Sequence, residues 1–194
     1  MLVTFSWKFS TIIKRVGDIM IELFRPDIYQ KSIYHIDYDK LKESGIKCLL
    51  FDLENTLVPF VEKEPNKRLI DLINDLKDMD FKVIIFSNAS KNRLKPFKDK
   101  LLVDCSYNSR KPMTGKFLKV IKKFNYNISN VAIVGDQVMT DILGGNRVGI
   151  TTILVNPMSN KDRLATRMFC RTSEHKILKV LEKKGIFKRG KYYD

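Results

Sequence analysis

Two acidic residues directly follow a short apolar run. The stretch KCLLFDLENTL, residues 47–57, ends its hydrophobic segment at Asp52 and places a second carboxylate at Glu54. Because side chains two residues apart on extended backbone point the same way, both carboxylates can face one substrate. One can attack phosphorus and form an aspartyl phosphate, while the other protonates the leaving oxygen and later activates water. The pair therefore predicts covalent phosphoryl-transfer chemistry.

Polar side chains also follow three other apolar runs: Ser87 and Asn88, Lys111, and Asp136. Attack by an anion on a phosphate dianion requires cations that offset the repulsion. We expect Asp52 and Asp136 to bind Mg²⁺, which prefers oxygen ligands. Lys111 would neutralise phosphate oxygens, and Ser87 with Asn88 would bind the remaining ones.

The elements that must bring these residues together follow from alternating apolar and amphipathic segments. The runs IKCLLFD, FKVIIFSN, VDCSYN, NVAIVGD and GITTILVN predict five strands. Between them we expect helices over residues 63–80, 92–101 (interrupted by Pro96), 114–125 and 138–146 (stopped by its glycines). Such alternation predicts a parallel five-stranded sheet covered on both faces, a three-layer α/β/α fold. In this architecture the carboxyl ends of the strands meet at one edge, where ligands bind.

Composition excludes several other kinds of site. The three cysteines, Cys48, Cys105 and Cys170, lie far apart and form no CxxC or Cys/His spacing, and the two histidines are isolated. Neither a zinc site nor a disulfide scaffold is therefore expected. The P-loop, the nucleophile elbow, the HExxH zinc motif and a dinucleotide-binding GxGxxG are absent.

The net charge of +14 favours an anionic partner. Residues 161–194 hold eleven Lys/Arg against four Asp/Glu, a net charge of +7. This predicts a basic C-terminal helical tail that packs on the domain or extends from it. An anionic membrane surface, RNA and the ribosome all remain possible partners of this tail.

The N-terminal segment has apolar residues at nearly helical spacing between residues 5 and 24. It predicts an amphipathic helix whose apolar face packs on the domain or lies at a membrane interface. No run of the sequence has the length and apolarity of a membrane span, and the segment lacks the pattern of a signal peptide.

Four segments, in this order, resemble the motifs of the haloacid dehalogenase (HAD) phosphohydrolase superfamily: FDLENTL, FSNAS, RKP and GDQVMTD. The longer stretches RKPMTGKF and VGDQVMTDILGGNRVGITTILVNP are similar to the YqeG-type phosphatases of subclass IIIA. That group is related to phosphatidylglycerophosphate phosphatases. The resemblance implies a Rossmann-like HAD fold and phosphomonoester hydrolysis with Mg²⁺.

The resemblance also implies a role for each matching residue. Asp52 would be nucleophile and metal ligand, and Glu54 the general acid/base whose backbone carbonyl binds Mg²⁺. The remaining matches are Ser87 for the second-motif hydroxyl, Lys111 for the third-motif lysine, Asp136 for a metal ligand and Asp141 for a second acid supporting the metal shell. Most members of the superfamily have Asp where this chain has Glu54. The extra methylene displaces the carboxyl by roughly 1 Å, and misplacement on that scale can cost about 10²-fold in rate.

Together these observations lead to one interpretation. We expect an N-terminal helix and lead-in over residues 1–45, a HAD-like catalytic domain over 46–160 and the basic tail over 161–194. The short gaps between motifs leave no room for a sizeable cap domain, so the site would accept a large or lipid-linked phosphate. The predicted activity is hydrolysis of phosphatidylglycerophosphate by a cytoplasmic protein, with peripheral attachment to the inner face of the membrane left open. The alternatives are an RNA- or ribosome-associated protein and a phosphatase acting on protein or nucleic-acid phosphates.

Overall fold

The computed structural model describes residues 20–159 and 164–194, without the side chains of residues 164–173. Most of the amphipathic helix predicted near the N-terminus, up to residue 19, lies outside the described residues. Among those described, no helix combines the length and the apolarity that crossing a membrane requires.

The centre of the fold is a parallel sheet. Its strands are β1 (Ile28–Gln30), β2 (Cys48–Phe51), β3 (Lys82–Phe86), β4 (Asp104–Ser106), β5 (Val131–Gly135) and β6 (Thr151–Val155). They lie in the order β1-β6-β5-β2-β3-β4, and every neighbouring pair is parallel. β2 and β5 are therefore central, and both deliver predicted catalytic residues.

The predicted parallel α/β fold is confirmed, but the strand number of five was wrong. The additional strand, β1, lies in the segment that we interpreted as a lead-in. It has three residues, of which only Tyr29 is buried, and it follows Pro26. So short a segment shows no strand periodicity in the sequence, and its pairing with β6 defines it.

Helices cover both faces of the sheet. They are α1 (Tyr38–Glu43), α2 (Lys67–Asp78), α3 (Lys91–Leu101), α4 (Thr114–Lys123), α5 (Leu143–Val148) and α6 (Leu164–Lys183). The alternating side chains of β2 show the two faces: Leu49 and Phe51 pack with α2 and α3, whereas Cys48 and Leu50 pack with α4. This arrangement is the predicted three-layer architecture.

Two helices differ from their predictions. α3 continues through Pro96, because the helix begins only five residues earlier and the carbonyl that loses its partner belongs to its exposed first turn. The glycines of α5 do not stop it. A Cβ at Gly145 would lie 2.5 Å from Cγ2 of Thr152, so Gly145 allows α5 to approach the sheet closely. The helix ends at Gly149, whose φ is +85°.

The C-terminal segment packs against the edge of the sheet that β1 forms. Tyr193 and Tyr29 exchange two backbone hydrogen bonds of 2.8 and 2.9 Å as an antiparallel bridge. Phe187 and Leu181 are buried with Tyr29 in a separate apolar cluster. The division of the chain at residues 45 and 160 stays a prediction, although β1 precedes the first of these boundaries.

Candidate active site

Asp52 lies where β2 ends, at the carboxyl edge of the sheet. Its backbone N–H donates to the Val134 carbonyl at 2.9 Å and so continues the pairing with β5. The chain then turns sharply, because the N–H groups of Leu57 and Val58 both donate to the Leu53 carbonyl. Asn55 occupies the left-handed region with a φ of 63°, which asparagine tolerates better than most residues. This turn fixes Asp52 and Glu54 at the start of a loop that rises above the sheet.

β5 delivers Asp136 in the same way, and a five-residue π-helix, Val138–Ile142, follows at once and carries Asp141. A π-helix is a frequent feature of functional sites. Gly135 makes room for it, since a Cβ at that position would lie 2.2 Å from Cγ of Asp141. Asp141 also accepts a 3.2 Å hydrogen bond from the Gln137 N–H. The glycine at the end of β5 is therefore what lets Asp141 reach the edge of the sheet.

Lys111 reaches the two central strands from the loop between β4 and α4. Its Nζ donates to Oδ1 of Asp52 at 2.7 Å and to Oδ1 of Asp141 at 2.5 Å, with only 2% of its side chain exposed. The Asn88 side chain holds the lysine backbone, accepting from its N–H at 2.7 Å and donating to its carbonyl at 3.2 Å. Burial lowers the pKa of Lys111, but the neighbouring carboxylates of Asp141 and Asp52 raise it by more. The net pKa is therefore raised. The side chain is therefore a permanently charged bridge.

The carboxylates of Asp52, Asp136 and Asp141 offer oxygens that all lie within 4.8 Å of one another. Thr56 donates to Oδ1 of Asp136 at 3.1 Å. Burial raises the pKa of Asp136 well above its usual value, and the charges of Asp52 and Asp141 raise it further. Burial also raises the pKa of Asp141, against the opposing effect of Lys111. When all three carboxylates are ionised, the cluster around the lysine has an excess of two negative charges, which a divalent cation would offset.

Glu54 lies in the loop after β2, outside this cluster of carboxylates. Its Oε1 accepts from Nε of Arg93 at 3.4 Å, and its side chain is 20% exposed. Arg93, on α3, also donates to the carbonyls of Phe60 and Glu62 and so ties the loop after β2 to that helix. The geometry holds Glu54 beside the cluster, with its carboxylate oriented by an arginine.

A side chain with a hydroxyl group follows β3, the second of the predicted strands. Ser87 is buried where β3 ends, and its Oγ accepts from the Ala89 N–H at 3.3 Å. Its own O–H proton remains available for an oxygen of the substrate. Asn88 is exposed and its side-chain amide is committed to the Lys111 backbone. Phosphate binding by Asn88 stays a prediction.

The structure thus places Asp52, Lys111, Asp136 and Asp141 together, with Ser87 and Glu54 in the loops around them. Sequence reasoning missed three residues: Thr56, Arg93 and Glu174. Thr56 lies two residues after Glu54, and its type and proximity were the only signal. Glu174, on α6, accepts from the Val138 N–H at 2.7 Å, and no local pattern connects positions 36 residues apart.

The comparisons with known proteins agree with this geometry. A HAD-hydrolase-like family model matches residues 108–169. The probable phosphatase YqeG of Bacillus subtilis is 39% identical over 164 residues, which cover 84% of this chain and 95% of that protein. The chain belongs to the YqeG-type HAD phosphatases. It is therefore a phosphoric monoester hydrolase.

A more distant relative of this YqeG-type chain and one solved structure are also similar to it. A chloroplastic/mitochondrial phosphatidylglycerophosphate phosphatase of Arabidopsis thaliana is 27% identical over 172 residues, covering 83% of the chain but 49% of that protein. The crystal structure of a hypothetical protein from Xanthomonas campestris superposes with a TM-score of 0.51 at 13% identity, covering 66% and 75% of the two chains. The latter likeness concerns the fold alone.

Proposed function

We propose that this YqeG-type phosphatase hydrolyses phosphatidylglycerophosphate with Mg²⁺, through an aspartyl-phosphate intermediate on Asp52. The observation that carries the proposal is the buried group of three carboxylates, two of which are bridged by one lysine. A buried group with two uncompensated negative charges is costly for a protein that binds no cation there. A divalent metal would supply the two missing positive charges.

The donor atoms suit magnesium. Asp52, Asp136 and Asp141 provide only carboxylate oxygens, which hard cations such as Mg²⁺ prefer. The Glu54 backbone carbonyl, in the same loop as Asp52, is a further proposed ligand. Bound there, Mg²⁺ would offset the negative charge of the substrate phosphate and of the attacking carboxylate.

The first half of the reaction uses Asp52 and Glu54. A carboxylate oxygen of Asp52 attacks phosphorus, and the bond from phosphorus to the alcohol oxygen of the substrate breaks. Glu54 donates its proton to that leaving oxygen. Lys111, already within 2.7 Å of Asp52, neutralises phosphate oxygens as the bond forms, and the Ser87 hydroxyl donates to another.

The second half returns the enzyme to its initial state. Glu54, now ionised, removes a proton from water, and the resulting hydroxide attacks phosphorus. The bond from phosphorus to Asp52 breaks, which releases inorganic phosphate and restores the carboxylate. Arg93 keeps the Glu54 carboxylate oriented through both steps by its hydrogen bond to Oε1.

Access to the site supports a large substrate. Within the described residues, only a loop, α2 and β3 separate Asp52 from Ser87, and only α3 and β4 separate Asn88 from Lys111. No domain in these connections covers the site. Beside Asp136 a cavity of about 200 Å³ continues the site, with Gln137, His175 and Arg189 in its wall. The distant relative from Arabidopsis, by its name, acts on phosphatidylglycerophosphate.

The test offers three phosphomonoesters to the full-length protein with Mg²⁺: phosphatidylglycerophosphate, a phosphopeptide and a 5′-phosphorylated oligonucleotide. We expect phosphate release from the lipid and far slower release from the other two. An Asp52→Asn variant serves as the control for contaminating phosphatases. Preferential hydrolysis of the peptide or the oligonucleotide would replace the lipid with that class of substrate.

A further inference from the structure

A group of exposed and half-buried residues at the active-site edge of the sheet has no role in the proposed reaction. It consists of four basic and two apolar or aromatic side chains, here called the rim surface: Lys91, Lys95, Tyr107, Arg110, Met113 and Lys116. Residues 91–123, which contain it, hold eleven Lys/Arg and two Asp/Glu, a net charge of +9. This exceeds the +7 of residues 161–194.

The topology puts the rim surface beside the active site. Tyr107, Arg110 and Met113 belong to the loop between β4 and α4, the same loop that delivers Lys111. Lys91 and Lys116 lie in the first turns of α3 and α4, and both helices begin at the carboxyl edge of the sheet. The two acids of this segment, Asp99 near the end of α3 and Asp104 at the start of β4, each line one of the two clefts beside Tyr107, where basic side chains outnumber them.

Tyr107 joins the two helices into one surface. It lines a cleft with Lys91 and Lys95 on its α3 side and a second cleft with Lys116 on its α4 side. Nζ of Lys116 lies 5.9 Å from the centre of the Tyr107 ring. The side chain of Tyr107 is 40% exposed and that of Met113 is 63% exposed. Large apolar groups are thus presented to solvent among cations.

The loop is held rigidly, although its tips are exposed. The Asn108 N–H donates to the Ala89 carbonyl at 2.9 Å, and the Ser109 N–H donates to the Ser87 carbonyl at 3.0 Å. Arg110 has a φ of 57°, a conformation that costs a non-glycine residue free energy. Tethers on both sides keep Arg110 in this conformation and its side chain pointing outward.

The cations of the rim surface lack acidic partners. Within the described part of the chain, no carboxylate lies within 4.0 Å of Lys91, Lys95, Arg110 or Lys116. Lysines beside an edge strand such as β4 can protect it from pairing with another chain. That explanation does not account for the exposed Tyr107 and Met113, which would favour association.

We infer that the rim surface docks the enzyme onto an anionic lipid bilayer, with the active site facing the membrane. The inference rests on the proposed lipid substrate and adds the surface through which the enzyme reaches it. Basic residues contact anionic headgroups, while Tyr107 and Met113 enter the interface between headgroups and acyl chains, as aromatic and apolar side chains of peripheral proteins do. The exposed Val61 and Met158, in the loops after β2 and β6, lie at the same edge and extend the contact.

The test compares two triple variants that lose the same charge. The first changes Lys91, Arg110 and Lys116 to Gln, and the second changes the exposed Lys176, Lys179 and Lys183 of α6 to Gln. Both are made in the Asp52→Asn chain, so that lipid turnover does not alter the membrane, and thermal unfolding checks that each folds. Flotation with phosphatidylcholine vesicles, with and without phosphatidylglycerol, measures binding.

We expect binding only to the vesicles with phosphatidylglycerol, and a loss of roughly 100-fold in the rim variant, about fivefold for each cation. The α6 variant should change far less. Equal losses in both variants, or a larger loss in the α6 variant, would overturn the inference. So would a parent chain that ignores the vesicles but binds RNA through the same three residues.

This outcome is independent of the proposed reaction. Flotation by the rim surface without hydrolysis of phosphatidylglycerophosphate would leave the docking surface in place and remove the substrate. Hydrolysis of that lipid in detergent, without any effect of the rim variant on flotation, would support the proposed substrate and overturn the docking surface.

Discussion

The buried cluster around Lys111 and the ion pair between Glu54 and Arg93 combine acidic and basic side chains in different environments. In the cluster, three carboxylates share one lysine whose side chain is 2% exposed, so the charges are unbalanced and shielded from water. In the ion pair, Glu54 has an arginine of its own at 3.4 Å, and both side chains keep 15–20% exposure. The cluster therefore needs a cation, whereas Glu54 lies beside Arg93 and remains open to solvent, which can supply and take up its proton. Mutations should affect the two regions in different ways.

The largest effect on activity should come from Asp52→Asn. The amide keeps the shape of the side chain but cannot attack phosphorus, so we expect turnover to fall by at least about 10⁴-fold. The variant also removes one negative charge from the buried cluster, and the metal-free protein should unfold at a higher temperature than the parent. Phosphate release and calorimetry measure the two results. Residual turnover within tenfold of the parent would exclude Asp52 as the nucleophile.

Lys111→Met should have the opposite effect on stability. It leaves three buried carboxylates without their cation, and the loss of one partner from a buried ion pair typically costs about 3–5 kcal/mol. We expect a lower unfolding temperature without metal and a larger gain on adding Mg²⁺ than in the parent, because the metal becomes the only counter-charge. A stability unchanged by either the mutation or Mg²⁺ would contradict the charge imbalance described for the cluster. Turnover should fall as well, since the lysine no longer neutralises phosphate oxygens beside the metal.

Glu54→Gln should lower turnover without weakening metal binding. The amide cannot transfer a proton, and general acid–base catalysis typically contributes about 10²–10⁴-fold. The proposed carbonyl ligand is unchanged, so the Mg²⁺ concentration at half-maximal activity should stay within about twofold. The comparison uses a natural phosphate ester and an activated aryl phosphate, whose leaving group needs little protonation. Equal losses on both substrates would argue against a role of Glu54 in protonating the leaving group.

The sequence pattern was sufficient for three members of the cluster because they follow strands, whereas Asp141 was assigned from the family resemblance. Asp52, Lys111 and Asp136 can be assigned to one edge of a parallel sheet from the residue pattern alone, since each follows an apolar run. Neither β1 nor the ion pair between Glu54 and Arg93 could be predicted in this way. Three residues give no periodicity, and Arg93 is 39 residues from Glu54 on a helix that also exposes four lysines. Which of those cations meets the loop after β2 depends on how α3 packs, and local sequence carries no signal for it.

The smallest effect, and the sharpest test of the comparison, is that of Arg93→Gln. The arginine orients the Glu54 side chain and donates to the carbonyls of Phe60 and Glu62. We expect turnover to fall by about tenfold, in line with a modest displacement of the acid/base. Because residues in contact are not additive, the double variant with Glu54→Gln should be no slower than Glu54→Gln alone. Losses that multiply in the double variant would show that Arg93 acts independently of Glu54, by holding the loop or by contacting the substrate itself.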